Sequence, residues 1–150
     1  MTTPPPSTWP FDIKHMTMPE VDLPPGVWTD VPLELTLPYP GVYLIDANVR
    51  GRLVALTQVN AFITARLWDV TAGAAVPSSE RHVYQAIGGA DTSLDHGGNG
   101  TAPISEVFRA TVPTTIRLQA RLTNANGAAA VAQIYSDAGQ GFTSLRYRAG

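Results

Sequence analysis

The chain has 150 residues, a formal net charge of −2 and no cysteine; it is long enough to bury a sizeable core without covalent staples, and it has neither a disulfide framework nor a thiolate metal site. The near-balanced charge excludes nucleic-acid binding by the chain as a whole, because neutralising phosphates needs a strong basic excess. No apolar run reaches the ~20 residues that cross a bilayer, and MTTPPPSTWPFDIKH has neither the basic nor the apolar region of a secretion signal; no membrane partner is expected, and a reducing cytoplasm is the expected place of synthesis.

Residues 1–40 hold ten of the thirteen prolines, and five acids against one lysine; residues 41–150 hold nine arginines against seven acids. Proline fixes φ and removes an amide donor, which excludes a helix or an inner strand over most of the first part. Residues 1–26 are therefore predicted to be an extended Pro-rich arm, with a reach of roughly 80 Å at a polyproline rise of ~3.1 Å per residue. Trp9, Phe11, Ile13, Met16 and Met18 are spaced along it. Such apolar anchors offset the ~1–2 kcal/mol per residue that backbone ordering costs, so the arm is expected to dock, and these five residues are its expected partner-binding anchors.

From residue 27 to 150 the pattern has period two, which predicts strands. VWTDV and LELTL read as two short strands, the second with Leu33, Leu35 and Leu37 inward. Residues 41–53 alternate with almost no slip: Tyr43, Ile45, Ala47, Val49 and Leu53 on one side, Asp46, Asn48, Arg50 and Arg52 on the other. Strands are also predicted over 62–70, 79–87, 104–112, 114–123, 128–136 and 143–149. Between them lie TAGAAVPSS, GGADTSLDHGGNG, TNANG and SDAGQG, which are turn-rich. Eight to ten strands at this spacing predict an all-β sandwich or barrel.

No constellation for catalysis is present. His15, His82 and His96 form no H-x-H pair, and no G-x-S-x-G or G-K-[ST] motif occurs. Ser136 and Ser144 read as turn and strand residues. Glu80 and Glu106 have no feature that marks them as a glycosidase pair. Asp91, Asp95 and Asn99 in the loop predicted over 88–103 have the oxygen ligands that Ca²⁺ prefers but lack EF-hand spacing, and the segment reads as a turn-rich loop at one end of the sandwich. No catalytic residue, no metal site and no cofactor is predicted.

Arg50, Arg52, Arg66, Arg117, Arg121, Arg146 and Arg148 all fall on the polar phase of strands. Phe62 and Trp68 share the outward phase of their strand with Arg66. Aromatics seldom stand exposed in a row, and burying one is worth roughly 4–6 kcal/mol as an upper figure. Phe62, Arg66, Trp68, Arg117 and Arg121 are therefore expected to form an oligomer interface. The competing account has strand 62–70 covered on both faces, one of them by the arm.

LPYPGVYLIDANV, TIRLQARLT and the terminal GFTSLRYRA, over residues 33–150, resemble the C1q/TNF-like jelly roll. The resemblance rests on Pro40, Gly41 and Tyr43, then Ile116 and Leu118, then Gly141, Phe142 and Leu145. The chain lacks the collagen-like stalk and the cysteines of secreted animal members. Without a signal peptide it looks like the small structural proteins of tailed bacteriophages. The resemblance implies a jelly-roll β-sandwich, a homotrimer around a three-fold axis, and a capsid decoration protein on the outer surface of a phage head, assembled in the host bacterial cytoplasm, with the major capsid protein as partner and no enzymatic activity. A host-recognition module binding glycans at a tail tip or fibre is the alternative. It is weakened by the end loops 71–78, 88–103 and 124–128, which contain no aromatic residue.

Overall fold

The computed structural model describes residues 10–56, 58–89 and 96–150. Trp9, Asp91 and Asp95 lie outside the described residues. In chain order the strands are β1 (Phe11–His15), β2 (Glu20–Asp22), β3 (Thr29–Leu37), β4 (Gly41–Ala55), β5 (Val59–Asp69), β6 (Ala74–Ala75), β7 (Arg81–Gly88), β8 (His96–Ala110), β9 (Thr114–Asn126), β10 (Val131–Tyr135) and β11 (Ser144–Ala149). They build two antiparallel sheets that face each other as a jelly-roll sandwich.

In sheet I, β4 is the spine. One edge pairs with β8 from Gly41↔Ala110 to Ala55↔His96, while the other pairs with β11 over its first half and β10 over its second. The sheet is extended outward by β1 beyond β11 and by β2 beyond β10. In sheet II the order is β3, β9, β5, with β6 and β7 both on the far edge of β5.

Period-two alternation delivers the core. Tyr43, Ile45, Ala47, Val49 and Leu53 of β4 are all buried, as are Ile63, Ala65 and Leu67 of β5, Leu33, Leu35 and Leu37 of β3, and Ile116, Leu118, Ala120 and Leu122 of β9. Each of these four strands gives one face to the space between the sheets and the other to the outside, the pattern of antiparallel layers covered on one side. The turn before β4 is closed by its own core residue. The Tyr43 hydroxyl donates to the Tyr39 carbonyl at 2.6 Å and accepts from the Tyr39 amide at 3.1 Å. The Tyr43 ring meets that of Tyr147 edge-on at 5.5 Å.

Three expectations need revision in detail. VWTDV and LELTL are one strand, β3, and Pro32 lies where its pairing with β9 shifts register between Asp30 and Glu34. The loop expected over 88–103 is strand from His96 onward, because β4 is long enough to pair with all of it. Gly98 and Gly100 fit there because Tyr84 of β7 crosses them: a Cβ on Gly100 would stand 2.6 Å from the Val83 carbonyl oxygen and 2.9 Å from the Tyr84 ring. With β1, β2 and β6 added, eleven strands are present among the described residues, against the eight to ten expected.

Within the segment expected as an arm, residues 11–22 run extended along sheet I as its outermost strands, positions where a missing amide donor is tolerated. The chain then crosses to sheet II at Pro24-Pro25-Gly26. Gly26 adopts φ 75°, open to glycine at no steric cost, and its amide donates to the Leu122 carbonyl at 2.8 Å.

Candidate functional site

Among the described residues no group of three or more His, Asp or Glu side chains is placed to hold a metal ion, and no helix is long and apolar enough to cross a membrane. Among the described residues, the surfaces open to another molecule include the outer faces of the two sheets and the edge formed by β1.

On the outer face of sheet II the five residues expected at an interface stand together. The register sets Thr64 opposite Arg121, Arg66 opposite Gln119 and Trp68 opposite Arg117, with Phe62 one step further along β5. Arg66 is stacked between two indoles: its guanidinium carbon lies 3.9 Å from the centre of the Trp28 ring and 4.8 Å from that of Trp68. Arg121 lies 4.5 Å from the same Trp28 ring. Arg121, Trp28, Arg66 and Trp68 thus form one cation–π ladder, each contact worth ~0.5–2 kcal/mol by its degree of desolvation. Phe62 stacks on His82 at 6.0 Å.

Hydrogen bonds continue the ladder sideways. Arg66 Nε donates to Gln119 Oε1 at 2.9 Å, Gln119 Nε2 donates to Asp30 Oδ1 at 2.9 Å, and Arg117 bridges Asp30 and Glu34 at 3.1 and 2.8 Å. Gln119 is buried by this network although it lies on the outward phase. Burial lowers the Arg66 guanidinium from its ordinary value; Glu80 works against that shift and Arg121 adds to it. Besides the ion-paired Arg117, two cations, Arg66 and Arg121, therefore share this face, Arg66 in partly desolvated surroundings. Thr64 Oγ1 and Arg121 Nε, cross-strand neighbours, are buried without a hydrogen-bond partner.

Trp28 and Gln119 are the residues that the sequence reading missed. A signal was there: with Leu33, Leu35 and Leu37 inward, Trp28, Asp30 and Glu34 share the opposite phase. Trp28 covers part of Arg66 and Arg121, so this strand is sheltered at Arg66 from within the chain, by a residue just beyond the segment expected as the arm.

The arm anchors separate into two kinds. Phe11 and Ile13 on β1 are 68% and 45% exposed, and Met18 is 50% exposed. Met16 is fully buried in the core, with its amide donating to the Thr143 carbonyl. Met16 fastens the arm to its own sandwich, while the other three remain at the surface. Beside β1, a cleft of about 510 Å³ separates it from β3, lined by Lys14, His15, Asp30, Pro32, Glu34 and Arg117. It opens where β3 leaves its register with β9.

On the outer face of sheet I, Phe11, Arg148, Leu44 and Val107 form one row across four strands, and Ile13, Arg146, Asp46 and Ser105 form the next. Arg146 pairs with Asp46 at 3.3 Å. Val107 is 71% exposed.

No protein-family profile matches the chain, and no curated protein matches it. Solved structures do. A structure of the infectious bursal disease virus Gx strain aligns over 95% of this chain with a TM-score of 0.58 and 16% identity. The VP2 subviral particle of infectious bursal disease virus aligns over 95% with a TM-score of 0.53 and 12% identity. The chain spans about a third of the length of each of those proteins, 32% and 33%. Eiger TNF from S. frugiperda aligns over 94% of this chain and 93% of its own, with a TM-score of 0.47 and 14% identity. At such identities the viral likenesses speak to architecture alone, and the architecture they share with this chain is the jelly-roll β-sandwich.

Proposed function

We propose that this protein is a non-enzymatic structural component of a virion, a capsid decoration protein that binds the outer surface of a phage head as a homotrimer, with the major capsid protein as its partner. The observation that carries the reading is the likeness, over nearly the whole chain, to the VP2 fold of a virus particle. The surface supports it: the features built for contact are broad sheet faces and an edge strand, which suit protein–protein packing. Phe11, Ile13 and Met18 are the arm residues free to meet the capsid, with Trp9 as the next anchor along the sequence. Phe62, Arg66, Trp68, Arg117 and Arg121 are assigned to the contact between copies. Three arms linked through one trimer raise effective affinity without any new kind of contact.

The test is particle binding by a surface-only variant. Phe11→Ser, Ile13→Thr and Met18→Thr together leave Met16 and the core intact. The variant is expected to keep the oligomeric state of the parent and to lose co-sedimentation with undecorated capsids. A variant that still saturates capsids sinks the assignment of the arm.

A further inference from the structure

The second half of the outer face of sheet I carries a cluster that the surfaces above do not use. Arg50 and Arg52 of β4 both stack on Tyr135 of β10, each guanidinium carbon 4.5 Å from the ring centre. Tyr135 is 2% exposed. Arg50 is committed to the fold: it donates to the Gly141 carbonyl at 2.8 Å and to the Tyr135 hydroxyl at 2.6 Å. Arg52 differs. Its Nε donates to Asn99 Oδ1 at 3.3 Å, and its two terminal nitrogens have no acceptor among the described residues.

Neither arginine has a carboxylate partner among the described residues. The ion pairs among the described residues involve Arg81, Arg117 and Arg146. Asp22, Gln133, Arg52 and Asn99 form a continuous row across four strands, and the one acid in it is already engaged, accepting from Gln133 Nε2 at 3.0 Å. The Gln133 Oε1 that remains is buried without a donor.

Two like charges held against one ring, with no counter-ion among the described residues, repel each other, and an anion relieves that repulsion. The stacked ring and the Nε bond fix the plane of the Arg52 guanidinium in advance. Little side-chain entropy is then left to lose when its free fork pairs bidentately. We propose that Arg52, with Arg50 beside it, is a recognition site for carboxylate side chains of an acidic segment in a partner protein. Charge complementarity selects the occupant. Asp22 and Glu20 on the neighbouring β2 strand repel a phosphate dianion more than a single carboxylate, and one free guanidinium fork flanked by acids is not the run of cations that a nucleic-acid backbone needs. The inference is independent of the virion reading.

The test follows the arginine side-chain Nε–Hε resonances of the full-length ¹⁵N-labelled protein during titration with hexaglutamate peptide at physiological ionic strength. The Arg52 and Arg50 signals are expected to shift saturably. Arg52→Gln is expected to weaken binding at least about tenfold while the amide spectrum stays that of the folded parent. Arg52→Lys keeps the charge and stem but not the fork, and is expected to fall between the two; it is the variant to use if Arg52→Gln loses its fold. Unmoved arginine signals, or equal affinity in the variants, overturn the proposal. So does inorganic phosphate that saturates the same signals at equal or lower concentration, since the site would then be a phosphate site.

Discussion

The Arg66 guanidinium carbon lies 3.9 Å from the centre of the Trp28 ring, and this contact ties the chain that has just crossed between the sheets to β5, an inner strand of sheet II. Trp28 also takes Arg121 at 4.5 Å. The ring therefore shelters two cations that would otherwise face each other through water and their own repulsion. Trp28→Ala is expected to lower stability by about 2 kcal/mol, the sum of lost apolar burial and two weakened cation–π contacts. Trp28→Phe should recover part of that. Equilibrium denaturation in urea measures both, and a loss within about 0.5 kcal/mol for the alanine variant would mean the ladder is ornamental.

The arm should show a sharp contrast between neighbours. Met16 is fully buried and Met18 half exposed. Met16→Ala is expected to cost about 2–4 kcal/mol, as large-to-small changes in a core do, and Met18→Ala less than about 0.5. Removing residues 1–26 altogether takes Met16, Leu23 and two strands of sheet I with it. The truncated protein is expected to melt well below the parent, which is why surface substitutions and not truncation test the arm's binding role. Thermal unfolding of the three proteins checks this order.

Tyr43 offers a local test of the turn that opens β4. Its hydroxyl makes two hydrogen bonds to the Tyr39 backbone from a site 2% exposed. Tyr43→Phe keeps the ring and its contact with Tyr147 but removes both bonds. A loss of about 1–2 kcal/mol in a denaturant titration is expected.

An alkaline limb should be visible too. Burial raises the Tyr147 phenol above its ordinary value, with Asp12, Tyr43 and Tyr39 adding to the shift. A proton held more tightly in the folded state contributes stability that is complete below the unfolded phenol's pKa near ~10 and is lost as pH rises through the folded value. The parent should lose stability above roughly pH 10, and Tyr147→Phe should flatten that loss. A variant whose stability falls just as steeply over that range would assign the limb to other groups.

Some of this was legible in residue order alone and some was not. The inward set of β4, Tyr43 through Leu53, follows from alternation because only one of its faces is buried. The same rule put Phe62, Arg66 and Trp68 on one outward face. It could not say which sheet a face belongs to, so seven outward arginines read as one class; the structure separates them, with Arg50, Arg52, Arg146 and Arg148 on sheet I and Arg66, Arg117 and Arg121 on sheet II. The first residues of β8 were hidden because glycine and asparagine carry no strand preference. Their strand exists because β4 provides a partner and Tyr84 needs a surface without Cβ atoms. β1 and β2 were hidden by the prolines that flank them, which limit a strand to the edge without forbidding it. The sheltering of Arg66 by Trp28 depends on a chain crossing, and no local pattern encodes that.

The central claim is that this sandwich exists to grip other proteins on the surface of a virus particle. Electron cryo-microscopy of intact particles that carry the protein tests it most directly. Density for three copies of the sandwich around a three-fold position on the outside of the head, with β1 against the shell, is the result this account predicts. The protein found on the tail, inside the shell, or absent from particles altogether would contradict it.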